Sequence, residues 1–271
     1  MSHTVVVGLG LIGGSAALAA GARGFDRDGG VREKARGRGI AVADSLAGAL
    51  DGAGLVVAAA STAETPALLR EIAALAPRAV LTDCASLKRP IADAAASLPE
   101  GVRFVAGHPM AGGRGRGVEA ADPEIFRGRP WVLVRTARSD AASLAAVESF
   151  VRAVGGRPVE LDAARHDRAM TWISHLPLAV ASALARAAAA GSGDTAALAG
   201  PGLIDTTRLA SQPESLALEL ALADPEALAR AIDAVSASLD ALASSLRSSD
   251  REAVRRFFAD AAAARRDLAG A

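Results

Sequence analysis

The chain has 271 residues, 51 % of them hydrophobic and 22 % charged, which is enough apolar material for a sizeable core and excludes wholesale disorder. Lys+Arg and Asp+Glu balance at 30 each, so no overall field draws the chain to nucleic acid or to an anionic membrane. The single cysteine, Cys84, excludes an internal disulfide framework and fits a reducing cytoplasm.

The N-terminus enters a strand directly, without the basic lead and cleavage site of a secretory signal. Arg, Asp or Gly interrupts every apolar-rich stretch, which argues against a membrane span. The expected location is the cytoplasm. Val5-Val6-Val7 runs into Gly8-Leu9-Gly10-Leu11-Ile12-Gly13 and then into a small-residue segment of helical character. That order of strand, glycine turn and helix start favours a dinucleotide site over a chance glycine turn. Gly8 permits the turn, Gly10 the close approach of a pyrophosphate, and Gly13 close packing of helix on strand. The phosphates are expected on N–H groups at the positive end of the helix, around Leu11 and Ile12.

Ala22 to Asp26 reads as a short second strand ending in an acid. Asp26 would accept hydrogen bonds from the ribose hydroxyls of NAD and repel a 2′-phosphate, although it sits closer to the glycines than the usual interval of about 20 residues. Arg27 could instead meet such a phosphate, which leaves NADP open, and a plain surface turn is the alternative to both. Val31 to Gly39 is a charged, helix-like segment. Leu55 to Ala60 reads as a buried strand, Thr62 to Leu75 as a helix, and Ala79 to Asp83 as the next strand. Strands alternating with helices imply a parallel, doubly wound sheet whose ligands bind beyond the carboxyl ends of the strands. Ser61, the segment Asp83 to Lys88, and Gly107-His108-Pro109-Met110 after a strand at Arg103 to Ala106 all fall at that rim. Ser61 and Asp83 are accordingly assigned to the cofactor side.

A helix after Asp122, a strand at Trp131 to Val134, a helix from Ala141 to Val154 and a strand at Pro158 to Leu161 close the α/β region. Beyond it strand signals vanish. Asp162 to Ala190 reads as one long Ala-rich helix, and His166 and His175, nine residues apart on it, fall about half a turn out of phase. Asp224-Pro225 opens a helix whose Leu228, Ile232, Val235, Leu239, Leu242 and Leu246 form a heptad-like seam, suited to a second copy or to an intrachain hairpin. Ser249 with Glu252 forms a capping box for the last helix.

His108 sits in a Gly-His-Pro turn and is suited to accept a substrate proton near neutral pH. Together with it, Gly8 to Ser15, Asp83-x-x-Ser86-x-Lys88, Gly107-His108-Pro109-Met110-Ala111-Gly112, His166-Asp167, Ser174-His175-Leu176-Pro177 and Gly202-Leu203-Ile204-Asp205-Thr206-Thr207-Arg208 form an ordered set. In this order the chain resembles the prephenate/arogenate dehydrogenases over nearly its whole length. The resemblance implies an α/β, Rossmann-like dinucleotide-binding domain over 1–161 and an all-α substrate and dimerisation domain over 162–271, working as a homodimer.

It also implies an NAD(P)-dependent oxidative decarboxylation of a cyclohexadienyl carboxylate. The hydroxyl-bearing ring carbon would give up a hydride, His108 would polarise the hydroxyl, and loss of the ring carboxylate would leave a phenol. Ser86 would orient His108 and lie near the nicotinamide. Arg208 would bind a substrate carboxylate, for which a guanidinium fork is well shaped, a salt bridge to Asp205 or a helix cap being the alternative. Ser174 and His175 would lie near the substrate, His175 chiefly as a structural residue. No metal is called for.

Four departures cluster around the expected substrate pocket. The family's acid after the His-Pro-Met motif is Arg114 here, the basic residue before the aspartate of the arginine motif is Ile204, the second histidine of Ser-His-Leu-Pro-His is Leu178, and the aromatic after the arginine motif is Leu216. Arg114, and less firmly Arg116, become candidate carboxylate ligands or part of a solvated basic loop. Prephenate, arogenate and the 4-amino-4-deoxy analogue all stay open as substrates. A β-hydroxyacid dehydrogenase would want a catalytic lysine between Asp162 and Ala190, where there is none. A binding-only regulator would not need Ser86, His108 and Arg208 together.

Overall fold

A computed structural model describes residues 3–113, 115–191 and 193–270. Its contacts divide the chain into two compact units, the first ending at Asp167 and the second beginning at Arg168. The division lies six residues beyond the boundary drawn from the end of the last strand signal, so His166 and Asp167 belong with the sheet.

The first unit is a seven-stranded sheet among the described residues, ordered β2-β1-β3-β4-β5-β6-β7. The strands are β1 (Thr4–Val7), β2 (Arg23–Phe25), β3 (Leu55–Ala58), β4 (Val80–Asp83), β5 (Arg103–Pro109), β6 (Pro130–Arg135) and β7 (Arg157–Glu160). The helices between them are α1 (Leu11–Ala20), α2 (Gly29–Gly37), α3 (Leu46–Leu50), α4 (Thr65–Leu75), α5 (Arg89–Ala96) and α6 (Ala141–Ala153). The central strands are buried on both faces, and their side chains separate with a period of two. Val5, Val7, Val56, Ala58, Leu81 and Phe104 face a core completed by α3, α4 and α5. Val6, Val57, Val80, Val105 and Leu133 face the opposite core, completed by α1, α2 and α6. Two filled faces are what make the sheet doubly wound.

One pairing departs from the all-parallel expectation: β6 runs antiparallel to β5, with β7 parallel to β6. An antiparallel strand near the edge of a parallel sheet is a common arrangement. It extends β5 through Gly107, His108 and Pro109, which pair with Leu133, Val132 and Trp131. His108 is therefore held by strand backbone on β5, not by the turn expected after Ala106.

The second unit is helical. The expected single helix from Asp162 to Ala190 is broken by a π turn over Thr171–His175 that separates α7 (Ala163–Met170) from α8 (Leu176–Ala189). The extra residue in such a turn resets helical phase, so a 3.6-residue count cannot place His175 relative to His166. Then follow α9 (Pro201–Thr206), a 3₁₀ turn Arg208–Ser211, α10 (Glu214–Leu222), α11 (Pro225–Arg247) and α12 (Arg251–Gly270). Asp224 caps α11 as expected, accepting from the Ala227 N–H. The cap of α12 is Asp250, which accepts from the Ala253 N–H, while Ser249 takes a left-handed φ of 56° and makes the corner instead. Within this unit Leu176, Leu228 and Ala231 form a small core joined by Ala179, Ala221 and Val235. Further along the α11 seam, Leu239 and Leu246 are 56 % and 57 % exposed.

Candidate active site

The glycine turn joins the end of β1 to α1, where the sheet changes direction between β2 and β3. That switch point is where open α/β sheets bind ligands. Gly8 has φ 95°, and a Cβ there would lie 2.3 Å from the Ala59 carbonyl oxygen. A Cβ on Gly13 would lie 1.9 Å from the Gly8 oxygen, so α1 approaches β1 as closely as backbone allows. A Cβ on Gly10 would meet nothing within 4 Å. Gly8 and Gly13 are thus required by packing, whereas Gly10 keeps open the space in front of a helix start that no side chain caps. Beside the turn lies a cleft of about 190 Å³ lined by Gly8, Asp26, Arg27, Ala59, Glu64 and Leu68 among others. The residues present fit a dinucleotide: open amides for a pyrophosphate and an acid-rimmed cleft for a ribose.

Asp26 is anchored where the sequence placed it. One carboxylate oxygen accepts from the Leu9 N–H at 2.7 Å and the other from the Asp28 N–H at 2.9 Å. Those bonds fix the carboxylate beside the glycine turn despite the short interval, and a carboxylate retains further acceptor capacity for hydroxyls. Arg27 turns to Glu71, with which it forms an exposed ion pair. Ser61 bonds the Glu64 carboxylate at 2.7 Å, at the start of α4.

The second cluster sits at the ends of β4 and β5. Asp83 and Lys88 are both fully buried, with Nζ 2.6 Å from Oδ2. Lys88 Nζ also donates to the Gly107 carbonyl at 2.6 Å, and Asp83 Oδ1 accepts from the Gly107 N–H at 2.9 Å. The pair therefore grips both polar groups of the residue preceding His108. Leaving one partner of such a pair alone costs about 3–5 kcal/mol. Asp83, which the sequence assigned to the cofactor side, is occupied here by Lys88 and Gly107 at the end of β4. Cys84, next to it, is held as a neutral thiol: burial, then the Asp83 charge, push its pKa far up.

His108 is half-buried, and its Nδ1 lies 2.8 Å from Nε2 of the fully buried His166. His166 Nδ1 in turn lies 2.6 Å from Asp167 Oδ1. Asp167 also accepts from the backbone N–H groups of Lys88 and Arg89, each at 2.9 Å, at the start of α5. Burial alone would raise the Asp167 pKa, but the hydrogen bonds from His166, Lys88 and Arg89 outweigh it and the net shift is downward. Ser86 is half-buried on the same β4–α5 connection, and His108 Nδ1 meets His166. Sequence reasoning named the His166-Asp167 pair but gave it no role. The signal was present in the adjacency of a histidine and an acid soon after the last strand.

Ser174, His175 and Arg208 lie in the second unit. His175 is buried in the π turn, Ser174 half-buried beside it, and Leu178 buried one turn into α8. Arg208 opens the 3₁₀ turn that packs on α8, and it is exposed. Arg114 lies outside the described residues. Among the described residues no group of three or more His, Cys, Asp or Glu is placed to hold a metal, and no helix is long and apolar enough to cross a membrane.

A doubly wound sheet with a glycine-turn dinucleotide site and a histidine at the same rim defines a nucleotide-dependent oxidoreductase. Residues 19–160 match the family model of the prephenate dehydrogenase nucleotide-binding domain, and residues 162–260 match that of its dimerization domain. The chain belongs to the prephenate dehydrogenase family. It is 30 % identical to a prephenate dehydrogenase of Lactococcus lactis, over 95 % of this chain and 75 % of that one. It superposes on a prephenate dehydrogenase of A. aeolicus, solved with hydroxyphenyl propionate and NAD+, with a TM-score of 0.86 at 26 % identity, covering 99 % and 98 % of the two chains. The arogenate dehydrogenase of Synechocystis gives a TM-score of 0.80 at 29 % identity, covering 98 % and 99 %.

Proposed function

We propose that this protein is an NAD-dependent dehydrogenase that oxidatively decarboxylates a prephenate-type cyclohexadienol, acting in the cytoplasm as a homodimer. The observation that carries the chemistry is His108, locked on β5 by the Asp83–Lys88 grip on Gly107 and by the bond to His166. NAD, when bound, supplies the hydride acceptor. Its pyrophosphate would be held by the amides following Gly10 and its ribose by Asp26, with Arg27 beside it in an exposed ion pair with Glu71. His108 takes the proton of the ring hydroxyl as the hydroxyl-bearing carbon loses its hydride. The bond to the ring carboxylate then breaks, carbon dioxide leaves, and the electron pair completes the aromatic ring. His108 returns its proton to the phenolate oxygen. Substrate and oxidised cofactor thus give a phenol, carbon dioxide and reduced cofactor, with no net proton consumed.

Arg208 is assigned to a substrate carboxylate, with Ser174, His175 and Arg114 as the remaining candidates on the substrate side. The test is steady-state reduction of NAD and of NADP with prephenate, arogenate and the 4-amino-4-deoxy analogue in parallel. Turnover with NAD and one of these substrates is expected. Arg208→Ala should raise KM by about 10–100-fold, the loss of one charge-assisted contact of 1.5–3 kcal/mol. No turnover with any substrate sinks the reading, and an unchanged KM in Arg208→Ala removes that residue from the carboxylate site.

A further inference from the structure

We infer that His166 and Asp167 are positioning residues that set which nitrogen of His108 carries the proton, holding Nε2 as the base for the substrate hydroxyl. The inference rests on the reading of His108 as proton acceptor and deepens it. The Asp167 carboxylate accepts two backbone N–H groups at the head of α5 and is held ionised by its surroundings. An ionised carboxylate only accepts, so the 2.6 Å contact is a bond donated by His166 Nδ1–H. A neutral imidazole with its proton on Nδ1 offers a lone pair on Nε2. The 2.8 Å contact is then a bond donated by His108 Nδ1–H to His166 Nε2. The two rings meet edge-on, with planes at 68° and centroids 5.1 Å apart, a separation that suits an in-plane hydrogen bond between them. His108 therefore keeps its lone pair on Nε2.

The arrangement has a second consequence during turnover. When His108 takes up a proton it becomes a cation, and its Nδ1–H still points into a chain that ends on a carboxylate. His166 is fully buried, so that chain is shielded from water and its electrostatic effect is stronger than it would be at the surface. The same carboxylate holds Lys88 N–H, and the Lys88 side chain grips Gly107. Orientation of the ring and of its strand thus converge on one segment, Lys88 and Arg89, at the start of α5.

Histidine ring ¹⁵N–¹H correlation spectra read the protonated nitrogen directly, and with only four histidines in the chain the signals are few enough to assign. At about pH 8, above the ordinary histidine range, the wild-type protein is expected to show both His108 and His166 protonated on Nδ1. In Asp167→Ala the His108 signal should lose that single form. With the substrate that the wild type turns over, kcat in Asp167→Ala and in His166→Phe should fall by about 10²–10⁴-fold with KM changed by less than about threefold. A wild-type His108 protonated on Nε2 overturns the inference, and so does an Asp167→Ala protein with the His108 form and kcat both unchanged. The wild-type spectrum needs no variant to fold. Absence of turnover with every substrate would strike the proposed reaction, while the spectrum would still decide the relay.

Discussion

At the scale of single residues, the glycine turn separates two demands that a sequence motif states together. Gly8 and Gly13 are required by the fold, because a Cβ on either would overlap backbone oxygen, whereas Gly10 is surrounded by space. Gly10 also has φ −72°, which any residue adopts. Gly10→Ala is therefore expected to leave the melting temperature within about 2 °C of wild type while weakening NAD binding at least about tenfold, by intruding where the backbone must approach the pyrophosphate. Gly8→Ala should lower the melting temperature and NAD binding together; calorimetric scans and NAD titrations of the two variants check the split. A Gly10→Ala protein that binds NAD as the wild type does would place the pyrophosphate elsewhere. The candidates with intrinsic chemistry, His108 and the three glycines, stood out by type and spacing, and Asp26 by type alone. The partners did not: His166 meets His108 across 58 residues of sequence, and the grip of Lys88 on Gly107 spans 19. The adjacency of His166 and Asp167 marks a pair, but nothing local in the chain names the partner of either contact.

Among the elements, α5 has a start that depends on a carboxylate charge. Its start has no cap from its own sequence, and Asp167 supplies the acceptors from a distant helix. The Asp167 pKa is lower in the folded protein than in the unfolded chain. Its contribution to stability is therefore complete above the ordinary aspartate range, about pH 4, and disappears as pH falls through the lower folded value. Asp167→Ala should thus be less stable than wild type at neutral pH, with the gap narrowing below about pH 4. Urea unfolding at both conditions measures it, and a gap that stays constant would show that the carboxylate charge is not what caps the helix. The element pattern itself was largely legible, because β1, β3 and β4 are short apolar runs and α6 and α11 begin on aspartate caps. The misreadings share a cause in non-local or subtle backbone geometry. The extension of β5 through His108 depends on its antiparallel partner β6, the π turn adds one residue to a segment of helical composition with no Gly or Pro within it to mark it, and at α12 two neighbouring residues could each have served as the cap.

For the whole molecule, the proposed homodimer is tested on the seam of α11. Leu228 at one end is buried in the unit's own small core, while Leu239 and Leu246 stay more than half exposed in a single chain, as does Phe258 on α12. Burying such side chains is worth about 1.5–3 kcal/mol each. Leu239→Glu with Leu246→Glu is expected to shift the protein from dimer to monomer in sedimentation velocity, and a dimer that persists would place the interface on another face. The central claim concerns the reaction, and it is tested most directly by following carbon dioxide and reduced NAD together from prephenate labelled with ¹³C in the ring carboxylate, with arogenate treated in the same way. The wild-type protein should release one labelled carbon dioxide for each NAD reduced with its substrate, and His108→Ala should lose both in step by at least about 10²-fold. Reduction of NAD without release of label, or an undiminished rate in His108→Ala, would contradict the account.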